Sequence, residues 1–133
     1  MLKNGIDLIE IERIRHSCEN PTFINRVFGE KERAQFSAQA HPATHMAGAF
    51  AAKEAFAKAL GTGIRGFSLC EVEVLHDALG APYFALSGQA KALADAQNLE
   101  FALSITHTDT LAAAFVTAYR KGEVLCVYFP PRK

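Results

Sequence analysis

Residues 47–66 read AGAFAAKEAFAKALGTGIRG, and this alanine-rich composition favours a helix. Helical spacing brings five apolar side chains onto one stripe: Phe50, Ala51, Ala55, Ala59 and Leu60. A continuous apolar stripe predicts a helix that is buried against the rest of the chain. Gly61 and Gly63 follow, and glycine readily adopts the positive φ with which helices end. We therefore expect the other elements to fold around this helix.

Glu54 and Lys58 form a pair of opposite charges in this predicted helix. Because they are four residues apart, their side chains project from the same face. One interpretation is a surface ion pair, since structural ion pairs are common. The other is an anion site, in which Lys58 and backbone N–H groups of the glycine turn bind a phosphate. The residues alone leave both interpretations open.

Length and composition narrow the class of protein. A chain of 133 residues predicts a single domain, 1–133, with one core. Its 14 basic residues balance 14 acidic ones, which argues against a nucleic-acid-binding surface. The three cysteines form no Cys-x-x-Cys motif, so we expect reduced thiols and a cytoplasmic location. Asp7 and Glu10 interrupt the first apolar run, and we expect neither a signal peptide nor a membrane span there.

The segment 5–11, GIDLIEI, has the β-branched composition of a strand, with Asp7 between two apolar neighbours. A carboxylate at such a position can face solvent from a half-buried strand. It can also lie inside, where it binds a cation or joins a hydrogen-bond network. The sequence leaves these two alternatives open.

Helix signals dominate the segment between this strand and the central helix. Asn20-Pro21 predicts a helix start, because asparagine is a good N-cap and proline suits the first helical position, and that helix should reach residue 28. A second polar helix is expected over 30–40. Pro42 should close it before the central helix begins near residue 44.

Strand signals dominate the segment after the central helix. Twofold alternation and apolar runs predict strands at 71–75, 83–86, 101–107, 111–119 and 124–129. Ser87 predicts the cap of one further helix, which should run to Gln97. Helices in the first half and strands mostly in the second predict an α+β fold. We expect a single domain with an antiparallel sheet packed against the long central helix.

Three blocks of the sequence together resemble one protein family. They are GID at 5–7, FAAKEAFAKALGTGI at 50–64 and SITHT at 104–108. In this order they resemble holo-[acyl-carrier-protein] synthase, the small type of 4′-phosphopantetheinyl transferase. The resemblance implies transfer of 4′-phosphopantetheine from coenzyme A to a serine of apo acyl carrier protein in support of fatty acid biosynthesis. Adenosine 3′,5′-bisphosphate would be the second product.

The resemblance implies roles at the reacting phosphate. Asp7 and Glu54 match the family's two magnesium-binding carboxylates, so Mg²⁺ is the implied cofactor. Lys58 matches the family lysine that contacts the phosphates and, with Glu54, is a catalytic candidate. The serine proton would pass to Glu54 directly or through a water on the cation, and the sequence leaves both routes open.

The resemblance also adds candidates for binding coenzyme A: Gly61, Pro82, His107 and Thr108. Gly61 would allow a close approach of backbone to ligand. Pro82 belongs to a turn that covers the adenine, and His107 lies near the nucleotide, although its position also fits a general base or a structural histidine. Thr108 can donate its hydroxyl group to a phosphate.

Two positions depart from the family pattern. Leu79 stands where asparagine is common at the head of the adenine turn, and Ala49 stands where several relatives carry an arginine. An arginine suits a phosphate, so we expect weaker binding of coenzyme A or replacement by another residue. Arg65 and His45 are candidates for that replacement by sequence proximity.

The implied partner is an acidic protein, apo acyl carrier protein. We expect it to dock on the early helices through Arg13 and Arg26, with Arg15 as a further candidate. The resemblance also implies a homotrimer with active sites between subunits, each using the metal site and lysine of one chain and the late strands of its neighbour. The apolar run 111–116 suits a subunit contact and suits an ordinary core strand equally.

Two other functions remain open at this point. One is a different magnesium-dependent enzyme that hydrolyses a nucleotide pyrophosphate with the same carboxylates and lysine. The other is a module that binds coenzyme A or a carrier protein without catalysis. The products formed from coenzyme A distinguish the three functions.

Overall fold

The computed structural model describes residues 2–122. The elements in chain order are β1 Leu2–Glu10, α1 Ile11–Ser17, α2 Pro21–Val27, α3 Glu30–Ser37, α4 Pro42–Leu60, a 3-10 turn Leu69–Glu71, β2 Val72–His76, β3 Pro82–Leu86, α5 Gly88–Ala96, β4 Leu99–His107 and β5 Leu111–Arg120. This is the α+β fold with antiparallel strands that the sequence predicts. The strand expected at 124–129 lies outside the described residues. Among the helices of residues 2–122, none combines the length and the hydropathy needed to cross a membrane.

The strands of residues 2–122 form a three-stranded sheet and a separate hairpin, both antiparallel. β5 lies at the centre of the larger sheet between β1 and β4, while β2 pairs with β3. Ala114 of β5 is paired with Asp7 on one side and with Ile105 on the other. Within the described residues, β1 and β4 are therefore opposite edges of the sheet, about 9–10 Å apart at two interstrand spacings.

The helix α4 packs on the inner face of this sheet and supplies much of the core. Two glycines allow the contact, because a Cβ at Gly5 would collide with the carbonyl of Ala55 and one at Gly48 would crowd β4. Ala51 and Ala55 of the apolar stripe are fully buried, as is Ala59. The predicted burial of the central helix is confirmed, and small residues on both elements bring it close to β1.

Several element boundaries and one cap differ from the sequence prediction; α3, for example, ends at Ser37 and not at residue 40. Pro42 opens α4 instead of closing the preceding helix, because proline suits the first turn of a helix. Ile11 leaves the strand and begins α1. The side chain of Ser87 makes no capping bond to α5, since the Glu71 carboxylate accepts from the N–H of Gln89 at 2.6 Å and takes that role.

A buried ion pair holds α4 against α3 and the start of β2. Lys53 Nζ lies 2.7 Å from Glu32 Oε1, and neither side chain has exposed area. The remaining hydrogen bonds of the two groups go to the backbone: the carbonyls of Leu69 and Val72, and the N–H groups of Gly29 and Val74. Because both charged groups are paired within the fold, they fix the rotation of α4 about its axis.

The face of the large sheet that points away from α4 carries exposed apolar side chains. Leu2, Ile6 and Leu8 project from β1 with 62%, 62% and 63% of their surface exposed, and Phe115 projects from β5 with 44% exposed. Strand pairing places Ile6 directly beside Phe115. We call these four residues the outer-face patch. Exposed apolar side chains grouped on one face are typical of an interaction surface.

Candidate active site

Asp7 of β1 and Glu54 of α4 line one cavity. Alternate side chains of a strand share a face, so Asp7 points toward α4 like Gly5, which lies against Ala55. The cavity has a volume of about 510 Å³, and Arg13 lines it together with the two carboxylates. The two carboxylates, 47 residues apart in the sequence, therefore meet where β1 packs on α4.

Electrostatics at Glu54 indicates two carboxylates that share a site. Burial raises the pKa of Glu54 above its ordinary value, the charge of Asp7 raises it further, and Lys58 offsets part of the rise. Two like charges in one cavity favour a bound cation. Mg²⁺ prefers oxygen ligands and is usually held by one or two carboxylates with phosphate oxygens and water, so this donor set fits it.

Two carboxylates cannot complete the coordination shell of a cation by themselves. Within residues 2–122 no group of three or more His, Cys, Asp or Glu side chains is arranged to hold a metal ion. The remaining ligands of a cation at Asp7 and Glu54 would therefore come from phosphate oxygens and water. That composition is ordinary for magnesium in phosphoryl-transfer sites.

Lys58 reaches across to β1. Its Nζ donates a hydrogen bond to the carbonyl of Ile6 at 2.8 Å and lies 3.4 Å from Asp7 Oδ1. Lys58 therefore does not form the simple surface ion pair with Glu54 that was one interpretation of the sequence. About half of the Lys58 side chain, 55%, is exposed, so its ammonium group is accessible at the edge of the carboxylate site.

Gly61 ends α4, as the sequence predicts. It has a φ of 85°, in the left-handed region, and its N–H donates to the carbonyls of Ala57 and Lys58. A Cβ at Gly61 would lie 3.6 Å from Lys3 Nζ, so a second ammonium group lies beside this turn. Contact between Gly61 and a ligand stays a prediction.

The predicted docking arginines differ in their relation to the cavity. Arg13 of α1 lines it. Arg26 is exposed on α2, one helical turn after Phe23, which also lines the cavity. Arg15 is not among the lining residues, and its guanidinium pairs with Glu12 at 3.0 Å. Of the three arginines, Arg13 is therefore the one that lines the carboxylate cavity, and docking through Arg13 and Arg26 stays a prediction.

His107 and Thr108 lie at the opposite edge of the sheet, at the end of β4. Neither residue lines the cavity of Asp7 and Glu54. Thr108 Oγ1 accepts hydrogen bonds from the N–H groups of Thr110 and Leu111 at 3.3 and 3.0 Å, which leaves its hydroxyl hydrogen available to a ligand. Within one chain, the predicted site residues thus fall into two groups.

Pro82 belongs with the group at the β4 edge. It begins β3 and is paired with His76 at the end of β2. The ring of His76 lies against that of His45, with 6.3 Å between the ring centroids, and His107 is close enough to influence the charge of His45. The turn that precedes Pro82 therefore lies on the side of the molecule that carries His107.

Sequence reasoning does not find two features of the structure, which are the buried Lys53–Glu32 pair and the group of four histidines. The Lys53–Glu32 pair has one usable signal, a lysine in the middle of a stretch of apolar helix neighbours. The histidines at 41, 45, 76 and 107 come from three separate segments, and no spacing rule for a single helix or strand brings them together.

The sequence from residue 4 to residue 116 matches the 4′-phosphopantetheinyl transferase superfamily. The chain belongs to this family. Among curated proteins it is similar to the holo-[acyl-carrier-protein] synthase of Caldanaerobacter subterraneus subsp. tengcongensis, with 44% identity over 116 residues, which covers 86% of this chain and 91% of that protein. The synthase of Clostridium botulinum strain Alaska E43 is 46% identical over 112 residues, or 84% of this chain and 91% of that protein.

Solved structures of the same kind have the same fold. The holo-[acyl-carrier-protein] synthase of Neisseria meningitidis superposes with a TM-score of 0.82 at 34% identity, covering 89% of this chain and 98% of the other. The ACPS–coenzyme A complex of Chronobacterium ammoniagenes superposes with a TM-score of 0.80 at 30% identity, covering 91% of this chain and 98% of the other. The expected family and its α+β fold are confirmed.

Proposed function

We propose that this chain transfers the 4′-phosphopantetheine group of coenzyme A to a serine of apo acyl carrier protein, in support of fatty acid biosynthesis. The observation that carries the proposal is the convergence of Asp7 and Glu54 at one cavity, with Lys58 beside Asp7. The named synthases that share most of this sequence add support. The product would be holo acyl carrier protein, and adenosine 3′,5′-bisphosphate would leave.

The reaction breaks one P–O bond of the coenzyme A pyrophosphate and forms a P–O bond to the serine oxygen. Mg²⁺, when bound by Asp7 and Glu54, would neutralise charge on the phosphoryl oxygens. Lys58 contributes a compact positive charge at the same site and stabilises the phosphate it contacts. The protein therefore acts mainly by positioning the two substrates and by electrostatic stabilisation.

The serine hydroxyl must lose its proton during the transfer. Glu54 is the candidate base, because burial and then Asp7 raise its pKa above the ordinary glutamate value, which makes its carboxylate a better proton acceptor. The direct route and the route through one water both end on the Glu54 carboxylate. The substitution Glu54→Gln removes either route.

We further propose a homotrimer with active sites between subunits. Two observations support it: the two groups of site residues lie at opposite edges of the sheet, and the outer-face patch is exposed. Asp7, Glu54 and Lys58 of one chain would meet His107 and Thr108 of its neighbour. The substitution Phe115→Glu should give monomers in light scattering, because it places a charge in the patch; an unchanged mass would argue against this interface.

One incubation tests the proposed function against the two alternatives. The protein is mixed with apo acyl carrier protein, coenzyme A and Mg²⁺, and the carrier protein is then weighed by mass spectrometry. A gain of the phosphopantetheine mass supports the transferase. Release of adenosine 3′,5′-bisphosphate without that gain indicates a hydrolase, and neither result indicates a binding module. Omission of Mg²⁺ with added chelator should abolish the gain.

A further inference from the structure

Lys3 of β1 brings a second ammonium group close to Lys58. Lys3, Gly5 and Asp7 alternate along β1 and share the face that packs on α4. The Lys3 Nζ lies beside Gly61, where a Cβ would meet it at 3.6 Å. Gly61 comes three residues after Lys58, which is about 4.5 Å along the axis of α4. The end of α4 therefore has two lysine ammonium groups nearby, one from the helix and one from the strand.

The two lysines differ in what they already contact. Lys58 Nζ donates to the carbonyl of Ile6 at 2.8 Å and lies 3.4 Å from Asp7 Oδ1. The ammonium group of Lys3 has no hydrogen bond and no ion pair with any group of residues 2–122. Its side chain is half-buried between the strand and the turn at the end of α4. Lys3 is therefore held in place by packing while its charge is available to an anion.

A lysine at the end of a helix can also have a purely structural role. The last carbonyls of α4 carry a partial negative charge, and a nearby cation stabilises them. The same partial charge disfavours a phosphate at this end of the helix, so a phosphate that binds beside Lys58 gains from a second cation. The structural role and the ligand-binding role of Lys3 therefore differ in their effect on ligands, which an experiment can measure.

The direction of the cavity indicates which side of the reacting phosphorus Lys3 occupies. From Asp7 the cavity follows β1 forward through residues 8–10 to Arg13. Lys3 and Gly61 lie in the opposite direction along the strand. In phosphoryl transfer the attacking and leaving oxygens lie roughly in line, on opposite sides of the phosphorus. A serine that enters through the cavity therefore expels a leaving group toward Lys3.

The leaving group gains negative charge during this step. The serine oxygen forms a bond to the phosphorus, the bond from that phosphorus to the bridging oxygen of the pyrophosphate breaks, and the serine proton passes to Glu54. The bridging oxygen stays with adenosine 3′,5′-bisphosphate, so the new charge develops on its 5′-phosphate. Asp7 already offsets part of the charge of Lys58. A second cation on this side is therefore well placed to neutralise the increase.

We propose that Lys3 is a further catalytic residue, which binds the 5′-phosphate of the departing adenosine 3′,5′-bisphosphate and stabilises the charge that develops on it. The inference rests on the proposed function, which supplies the leaving group. An ammonium group is a compact point charge and suits a phosphate oxygen. Because this charge is larger in the transition state and the product than in coenzyme A, Lys3 contributes more to catalysis and product binding than to substrate binding.

The first test compares three ligands by calorimetric titration: coenzyme A, adenosine 3′,5′-bisphosphate and adenosine 3′-monophosphate, which lacks the 5′-phosphate. Lys3→Met should weaken binding of the bisphosphate by about tenfold and that of coenzyme A by less, and should leave the monophosphate unchanged. Lys3→Gln should have the same effect, whereas Lys3→Arg keeps the charge and should restore most of the affinity. Lys31→Met, which removes an exposed cation of α3, is the matched control.

Turnover gives a second measurement. Lys3→Met should lower kcat by about tenfold with a smaller change in the KM for coenzyme A, because the charge develops in the transition state. A purely structural Lys3 would instead lower the melting temperature and leave the ratio of bisphosphate to monophosphate affinity as in the wild type.

An unchanged preference for the bisphosphate over the monophosphate in Lys3→Met and Lys3→Gln would overturn the proposal. Melting curves show whether each variant folds, and the two neutral variants report independently. Failure of the proposed function has a different signature, because the wild-type protein would then not modify apo acyl carrier protein. The binding comparison would still decide whether Lys3 holds the 5′-phosphate.

Discussion

Lys53 and Lys58 lie on the same helix and both meet a carboxylate, yet their surroundings are opposite. Lys53 is 2.7 Å from Glu32, and both side chains are fully buried. Lys58 is 3.4 Å from Asp7, and the two side chains are 55% and 20% exposed. The first ammonium group has all its partners within the fold, whereas the second reaches solvent beside an open cavity.

This difference separates a structural charge from one available for chemistry. Burial raises the pKa of Glu32 and lowers that of Lys53, and the attraction between them opposes both shifts. Removal of either partner would leave the other charge in the core without a countercharge. An exposed pair contributes only about 0–1 kcal/mol, so the fold depends little on Lys58 and a ligand can use it.

The largest expected effect is on stability, at the buried pair. Lys53→Met should lower the free energy of unfolding by about 3–5 kcal/mol, because it leaves the Glu32 carboxylate buried without its countercharge. Urea unfolding measures the loss. Lys58→Met is the matched control on the same helix and should change stability by less than about 1 kcal/mol.

A double variant sharpens this result. Glu32→Gln combined with Lys53→Met should cost less than the sum of the two single changes, since neither remaining group carries an unpaired charge. If Lys53→Met and Lys58→Met unfold at the same urea concentration, the buried pair does not hold α4 in the way proposed.

The next effect is on turnover, at the half-buried carboxylates of the cavity. Asp7→Asn and Glu54→Gln should each reduce transfer by about 100- to 1000-fold, because each removes part of the charge that holds Mg²⁺ against the pyrophosphate. Both variants should fold, and Mg²⁺ with coenzyme A should no longer raise their melting temperatures. Glu10→Gln is the control, since Glu10 lines the same cavity from β1. Turnover near that of the wild type in either variant would remove that carboxylate from the site.

A smaller effect should be a pH-dependent change in the stability of the metal-free protein. Because burial and Asp7 raise the pKa of Glu54 in the folded state, ionisation of Glu54 opposes folding. Its contribution to stability is complete below the ordinary glutamate pKa of 4.5 and is lost as pH rises through the raised folded value. Glu54→Gln should therefore gain stability relative to the wild type between acid and neutral pH. Melting curves across this range in chelator measure it, and a constant difference would contradict it.

The smallest expected effect concerns association with the carrier protein. Arg13→Ala with Arg26→Ala should slow binding of apo acyl carrier protein by about tenfold and reduce its salt dependence, because these arginines attract an acidic partner. Affinity for coenzyme A should not change. Lys31→Ala, an exposed cation on α3, is the control. If the arginine variant loses coenzyme A binding instead, these arginines belong to the coenzyme A site and not to the docking surface.

Local rules are those that depend only on a few neighbouring residues. Because they can be applied directly to the sequence, they predict much of the fold. Asn20 caps α2 by accepting from the N–H of Thr22 at 2.9 Å, and Gly61 ends α4, both as the sequence indicates. The strands β2 and β3 follow their twofold alternation. At Ser87 local rules predict the start of α5 correctly but not its capping group, because a carboxylate 16 residues earlier accepts the hydrogen bond through the tertiary fold.

The sequence by itself determined the chemical types available to this protein: two carboxylates, a lysine and a glycine turn around one apolar helix. Only the tertiary structure decided how they combine. The absence of a side chain at Gly5 lets β1 approach α4, which brings Asp7 to Glu54 and to Lys58. Burial decides that Lys53 supports the core, and packing of distant segments gathers the histidines. Proximity and desolvation depend on contacts between distant residues, so helical or strand periodicity cannot encode them.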